Sequence, residues 1–271
     1  MNIFVYGCSF STVVNDQFLG WTQLLANKLG ARLFNHAISG ASSEYAFCRW
    51  LQDVKEDKFQ SGDLIIFQVS LLGRLFFSHQ QEFPSTASSY FPFPGNDYLL
   101  DKKKNSWYFE NKHHLEWYFM NQDDTVMFNM RQAYKHTVRS FAESHKNIKV
   151  VILENGNYTN FYTLPILNTP KNFFEVPVDL NKINENEFAF EGGYVKWTDF
   201  TKMDTRVNHL SILNLHRMSA LIYDIYKEGN MLESYENYFE KNLFLKPIKN
   251  SQDYFEYVDQ KLIYNWLPNQ K

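Results

Sequence analysis

The chain has 271 residues and a formal net charge of −3, with 27 basic and 30 acidic side chains. This balance gives no overall positive field that would attract a phosphate backbone, so we expect no nucleic acid among the partners. Hydrophobic residues make up 44% of the chain, which is enough to build a core and excludes intrinsic disorder. No stretch approaches the roughly 18 apolar residues that a membrane span needs, so we expect no membrane-spanning segment.

Leader and disulfide patterns are the signals that would place a protein outside the cytoplasm. Residues 1–7 have a strand pattern rather than a basic stretch followed by a long apolar one. Cys8 and Cys48 are too few for a disulfide framework, and their spacing does not suit zinc. The sequence therefore favours a reducing, cytoplasmic location, with both cysteines as small buried side chains.

The first part of the chain alternates between strand and helix patterns. Apolar runs predict strands over residues 2–6, 31–34 and 63–69, and helical periodicity predicts helices over 20–30 and 44–54. Strands separated by helices pair in parallel through right-handed crossovers. The predicted fold class is therefore α/β, with helices on both faces of a parallel sheet.

The same pattern returns in the second half of the chain. A helix is predicted over residues 125–145, a fourth strand over 147–153 and a last helix over 212–226. These elements extend the sheet and add to its helical layers. We expect one domain, residues 1–228, with a three-layer α/β/α arrangement.

Aromatic-rich segments interrupt and extend this framework. Two insertions are predicted at about 75–124 and 154–202, the second of them rich in loops, and a C-terminal extension follows over 229–271. Exposed aromatic rings beside polar side chains suit the apolar faces of sugars, which suggests a glycan ligand. The alternative is that these rings form a satellite core or the interface of a homo-oligomer.

Candidate chemistry begins directly after the first predicted strand, in the block Gly7-Cys8-Ser9-Phe10-Ser11. The carboxyl edge of a parallel sheet opens into the ligand crevice, so a serine there can meet a substrate. A serine hydroxyl needs a base to become a good nucleophile near neutral pH. The alternative is that Ser9 and Ser11 only satisfy backbone groups of the turn.

Two further blocks supply the missing parts of such a site. Residues 35–43 follow the second strand and contain Gly40, whose backbone N–H could approach a reacting oxygen without a side chain in the way. His209 comes from a loop immediately before the last helix, where it could serve as a base. Three such blocks in order indicate acyl transfer more strongly than any one of them.

Taken together, these blocks resemble those of the SGNH (GDSL-type) hydrolases. In that family a nucleophilic serine follows the first strand, a glycine follows the second, an asparagine follows the third, and Asp and His share a late block. The resemblance implies a flavodoxin-like fold, with Ser9 as nucleophile and His209 as general base. It also implies that the amides of Ser9 and Gly40 form the oxyanion hole. Cys8 stands where the family usually has Asp.

The third block departs from the family pattern. The resemblance covers about residues 1–75 and 125–228, yet residues 68–74 contain no asparagine. Ser70 or Arg74 would have to replace that oxyanion donor, and Arg74 is also a candidate for contact with the substrate. One side-chain donor of this kind contributes about 3 kcal/mol in comparable sites, so its loss would slow catalysis rather than prevent it.

The acidic member of the last block is also displaced. The family's Asp stands two or three residues before the histidine, whereas here Asp204 lies five residues before His209. Asp204 is the best candidate to orient the imidazole, with Asp199 and Asn208 as weaker ones. Asn208 is also a candidate for contact with the substrate.

The resemblance implies a serine esterase that needs no metal and no other cofactor. The substrate would be a small-molecule or glycan ester, and an O-acetyl group on a carbohydrate is the leading candidate. The same chemistry directed to a sugar hydroxyl would make the protein an O-acetyltransferase. The missing asparagine and the displaced Asp support a third alternative, a non-catalytic protein of this fold that binds a glycan or a partner.

Overall fold

The structure is a computed structural model that describes ten segments of the chain: residues 1–11, 20–38, 41–69, 75–77, 85–87, 124–154, 169–187, 210–229, 235 and 237–243. Seven strands lie in these segments: β1 (Asn2–Tyr6), β2 (Arg32–Asn35), β3 (Leu64–Gln68), β4 (Leu75–Phe77), β5 (Ser85–Ala87), β6 (Lys149–Leu153) and β7 (Phe173–Val176). Five α-helices accompany them: α1 (Trp21–Leu29), α2 (Ser43–Lys55), α3 (Asp124–Ser144), α4 (Leu180–Asn186) and α5 (Ile212–Glu228).

Five of the strands form one parallel sheet in the order β2-β1-β3-β6-β7. This order is that of the flavodoxin-like doubly wound fold, in which the strand order reverses beside the first strand. β1 after Asn2 and β3 before Gln68 are continuous apolar runs, because both faces of a central parallel strand are covered. The predicted α/β class with a parallel sheet is confirmed.

The helices cover the sheet from both sides, which makes three layers. Ile3 and Val5 of β1 point into a core shared with α1 and α5, whereas Phe4 and Tyr6 point into a second core shared with α2 and α3. This alternation follows from the period of two along a strand. The structure therefore confirms the predicted α/β/α arrangement.

The fifth strand of the sheet was not predicted. β7 and α4 lie inside residues 154–202, which the sequence presents as a loop-rich insertion. β7 has only four residues, and at an edge of the sheet it needs no long apolar run. Within residues 75–124, the described part includes a short antiparallel pair of strands, β4 and β5. Most other residues of the predicted insertions, and most of the 229–271 extension, lie outside the described residues.

Two further predictions concern the two cysteines and the absence of a membrane-spanning segment. Cys8 is buried as expected, but Cys48 is exposed, because its position on α2 faces away from the core. In the part of the chain that the structure describes, no helix is both long and apolar enough to cross a membrane.

Candidate functional site

The backbone of Ser9 begins a short 3-10 turn, Ser9–Ser11, directly beyond the carboxyl end of β1. The amide of Ser11 donates to the carbonyl of Cys8 at 2.9 Å and closes this turn. β1 lies between β2 and β3, so the turn sits at the strand-order reversal where ligands bind in open α/β sheets.

The side chain of Gln68 holds this turn from the end of β3. Its Oε1 accepts from the hydroxyl of Ser11 at 2.7 Å and from the amide of Cys8 at 3.3 Å. Its Nε2 donates to Cys8 Sγ at 3.1 Å. Gln68 is only 1% exposed, so water does not compete for these contacts. Residues on both sides of Ser9 are thereby fixed to the neighbouring strand.

Two other side chains hold the same turn from the opposite side. Asn35, the last residue of β2, donates from Nδ2 to the carbonyl of Ser11 at 2.7 Å and accepts from the amide of Ala37 at 3.0 Å. Trp21, the first residue of α1, donates from Nε1 to the carbonyl of Phe10 at 2.9 Å. The turn that carries Ser9 is therefore bonded to two strands and a helix.

The start of α5 lies at the same edge of the sheet. Its far end reaches the amino edge, where the Tyr226 hydroxyl donates to the carbonyl of Gly62 at 3.3 Å and the Tyr226 backbone carbonyl accepts from the Lys149 ammonium. Seventeen residues of helix extend about 25 Å, whereas a five-residue strand extends about 17 Å. The helix therefore begins at the carboxyl edge, with Leu210 and Ser211 just before it.

A buried cluster fixes this helix start, and we call it the Glu187 cluster: Glu187, Ser211 and Asn214. Glu187 has no exposed surface, and its carboxylate accepts from the Ser211 amide at 2.9 Å, the Ser211 hydroxyl at 2.7 Å and Asn214 Nδ2 at 2.6 Å. Asn214 in turn bonds the backbone of Glu240 through both amide atoms. The end of α4, the start of α5 and the 237–243 segment are thereby joined.

One of the seven predicted site residues, Ser9, lies among the described residues. The structure describes the backbone of Ser9, and the others lie outside the described residues: Gly40, Ser70, Arg74, Asp204, Asn208 and His209. The pairing of Ser9 with His209 and the role of Asp204 therefore stay predictions. Within the described segments, no group of three acidic, histidine or cysteine side chains is arranged to hold a metal ion.

The buried polar side chains that fix the Ser9 turn and the start of α5 were not among the predicted site residues. Gln68 and Glu187 are single polar residues without a recognisable motif around them, and their partners lie 57 and 24 positions away along the chain. The only signal in the sequence was a glutamine at the end of an otherwise apolar strand, which is an unusual place for a polar side chain unless it is hydrogen bonded.

A second polar cluster lies on the α2 side of the sheet, around the buried carboxylate of Asp53. It accepts from the Tyr6 hydroxyl at 2.6 Å and from the Lys58 ammonium at 2.9 Å, and it lies 3.1 Å from His36 Nε2. Arg49 lies 3.3 Å from this carboxylate and donates to His36 Nδ1, so that nitrogen carries no proton. Burial alone would raise the pKa of Asp53, but these hydrogen bonds and charges hold it below its usual value.

The same surroundings keep His36 neutral. Burial lowers its pKa and outweighs the attraction of Asp53, while the positive charge of Arg49 lowers it further. As the pH falls through about 6.5, His36 therefore becomes protonated in the unfolded chain before it does so in the folded protein. We expect the free energy of unfolding to decrease as the pH falls through about 6.5, the value for an unperturbed histidine, because the unfolded state takes up more protons.

Urea denaturation at several pH values measures this slope. The free energy of unfolding should depend less on pH in a His36→Gln variant. Burial also lowers the pKa of His216, so part of the pH dependence should remain in that variant. Protonation of Asp53 belongs to a separate window below about pH 4. Equal slopes in the wild type and the variant would contradict the assignment to His36.

The fold and the site define a three-layer α/β/α protein of flavodoxin-like topology with a serine turn at the strand-order reversal. Its sequence matches no protein-family model and no curated protein. Among solved structures it is similar to the X-ray crystal structure of the protein YxiM from Bacillus subtilis, with 15% sequence identity and a TM-score of 0.39. The similarity covers 84% of this chain and 56% of that one, so this chain spans little more than half of that protein.

Proposed function

We propose that this chain is a serine esterase that removes an O-acyl group, with Ser9 as nucleophile and His209 as general base. The observation that carries the proposal is that two elements distant in the sequence lie at the same edge of the sheet. The turn of Ser9 and the start of α5, two residues after Leu210, both lie at the carboxyl edge of the sheet. His209 is the neighbour of Leu210 in the sequence.

The reaction follows from these two groups. Ser9 Oγ attacks the ester carbonyl carbon while His209 accepts its proton, and the amides of Ser9 and Gly40 stabilise the oxyanion. The ester C–O bond then breaks, and His209 returns the proton to the departing alcohol. Water attacks the acyl-serine in the same way, releases the acid and restores Ser9. Asp204 would orient the imidazole through its other ring nitrogen.

The acyl group and the alcohol are proposed from the rest of the sequence. The aromatic content of the two predicted insertions supports a carbohydrate as the alcohol, because sugar faces stack on aromatic rings. An O-acetyl group is the acyl group that the resemblance of the sequence blocks makes the leading candidate. We therefore propose an acetylated glycan as the substrate class.

A fluorophosphonate probe tests the nucleophile directly, because it labels a serine that is activated for acyl transfer. We expect one label on the intact protein, within the tryptic peptide of residues 1–28 and assigned by fragmentation to Ser9 rather than Ser11. The same protein should hydrolyse p-nitrophenyl acetate or an acetylated glycan. Absence of both label and hydrolysis would overturn the proposal.

The two alternative functions give different results in the same assays. Product that forms only when a glycan acceptor is added would identify an O-acetyltransferase. A glycan that binds without turnover, together with an unlabelled Ser9, would identify a binding protein of this fold.

A further inference from the structure

The Glu187 cluster holds the chain immediately after the proposed base. Glu187 Oε1 accepts three hydrogen bonds, from Ser211 N, Ser211 Oγ and Asn214 Nδ2, and Oε2 lies 3.1 Å from the Ser211 amide. His209 is two residues before Ser211, which limits the separation of their Cα atoms to about 7.6 Å. A shift of Ser211 therefore moves the anchor of His209.

The hydrogen bonds of Glu187 go beyond those that a helix needs for its N-terminal cap. The hydroxyl of Ser211 already accepts from the Asn214 amide at 3.3 Å, which is an ordinary N-terminal cap of α5. Burying a carboxylate is costly unless it is hydrogen bonded. Glu187 is fully buried and strongly hydrogen bonded, so a displacement of the start of α5 would cost the carboxylate these hydrogen bonds.

The cluster also connects this position to a third segment. Asn214 accepts from the amide of Glu240 at 2.9 Å and donates to its carbonyl at 3.0 Å. The amide of Asn242 donates to the carbonyl of Asn186 at 2.8 Å. The helix start is therefore fixed against two chain segments.

We infer that Glu187 is a positioning residue for the proposed esterase: it fixes Ser211 and Asn214 and thereby sets the distance from His209 to Ser9. The inference rests on the proposed function. Its effect is geometric, because an error of about 1 Å between reacting groups can cost on the order of 10²-fold in rate. The loss should appear in kcat rather than in KM, since Glu187 is fully buried and offers no surface to a substrate.

Two substitutions of Glu187 test whether its hydrogen-bond acceptors position the start of α5. Glu187→Ala removes every acceptor and should lower kcat by about 30-fold, with KM changed less than about threefold. Glu187→Gln keeps an oxygen at the same reach for Ser211 and Asn214, so kcat should recover to within about fivefold of the wild type. Both are measured with p-nitrophenyl acetate at a temperature where circular dichroism shows each variant folded.

Asn172→Ala is the matched control for a purely structural role. Asn172 is also buried, and its Nδ2 lies within hydrogen-bond distance of three carbonyl oxygens, those of Ala142, His145 and Ile148, at the opposite edge of the sheet. Its loss should lower the free energy of unfolding about as much as Glu187→Ala does, but leave kcat within about twofold.

The possible results separate this inference from the proposed function. An active wild type with Glu187→Ala at full kcat, or with the same loss of kcat in Asn172→Ala, would overturn the positioning role alone. Failure of Glu187→Gln to restore the rate would also contradict the geometric account. A wild type that neither hydrolyses esters nor takes the probe on Ser9 would overturn both proposals.

Discussion

A Ser9→Ala variant is expected to lose ester hydrolysis by on the order of 10³-fold or more while keeping its fold. The reason is that the acyl-enzyme cannot form without Ser9 Oγ, and the remaining binding groups give only a small residual rate. Initial rates with p-nitrophenyl acetate and labelling by the fluorophosphonate probe measure the effect. The probe should no longer label the 1–28 peptide.

Ser11→Ala is the matched control, since this serine stands two residues further along the same turn. Its hydroxyl is buried and donates to Gln68 Oε1 at 2.7 Å, which makes Ser11 a structural serine. We expect this variant to lose about 1–2 kcal/mol of stability and still to take the label on Ser9, at a lower rate. Full activity in Ser9→Ala, or loss of the label only in Ser11→Ala, would refute the assignment of the nucleophile.

The framework of the fold could be predicted because its signals are local. The helix predicted over residues 20–30 is α1, which ends where Gly30 adopts a φ of 60°, and the strand predicted over 63–69 is β3. Each signal depends on periodicity or on one terminating residue. β7 had no such signal, because its four residues are ordered by pairing with β6 rather than by their own pattern.

The candidate site could be predicted only in part, for the same physical reason. The position of Ser9 after the first strand follows from a local pattern, and the structure places its backbone at the expected edge. The residues that support the site act across the fold: Gln68 reaches the turn from a neighbouring strand, and Glu187 reaches α5 from α4. Such contacts depend on the topology, which one sequence does not define residue by residue.

The end of β3 illustrates how the structure changes the interpretation of a departure from the family pattern. In the sequence, residues 68–74 were notable for the asparagine that they lack. In the structure, Gln68 turns its amide toward Cys8 and Ser11, on either side of Ser9. The polar side chain at this strand end therefore supports the turn that carries Ser9. Whether Ser70 or Arg74 supplies an oxyanion donor stays a prediction.

Gly7 is the residue that permits this close contact between β1 and β3. A Cβ atom at Gly7 would lie 2.7 Å from Gln68 Cβ and 3.0 Å from Gln68 Oε1, distances at which one of the two strands has to move. Cβ of Gln68 is fixed by the backbone of β3, so a change of rotamer cannot relieve the first contact. The displacement would be transmitted to Cys8 and Ser9, which follow directly.

Gly7→Ala is therefore expected to lower the free energy of unfolding by about 2–3 kcal/mol and to reduce esterase kcat by at least about tenfold. Gly62→Ala is the matched control: this glycine lies before β3 at the amino edge, with a φ of 90° and no atom within 4 Å of an added Cβ. Backbone strain there should cost about 1–2 kcal/mol without changing kcat. Wild-type kcat in a folded Gly7→Ala protein would show that the contact with Gln68 does not set the position of Ser9.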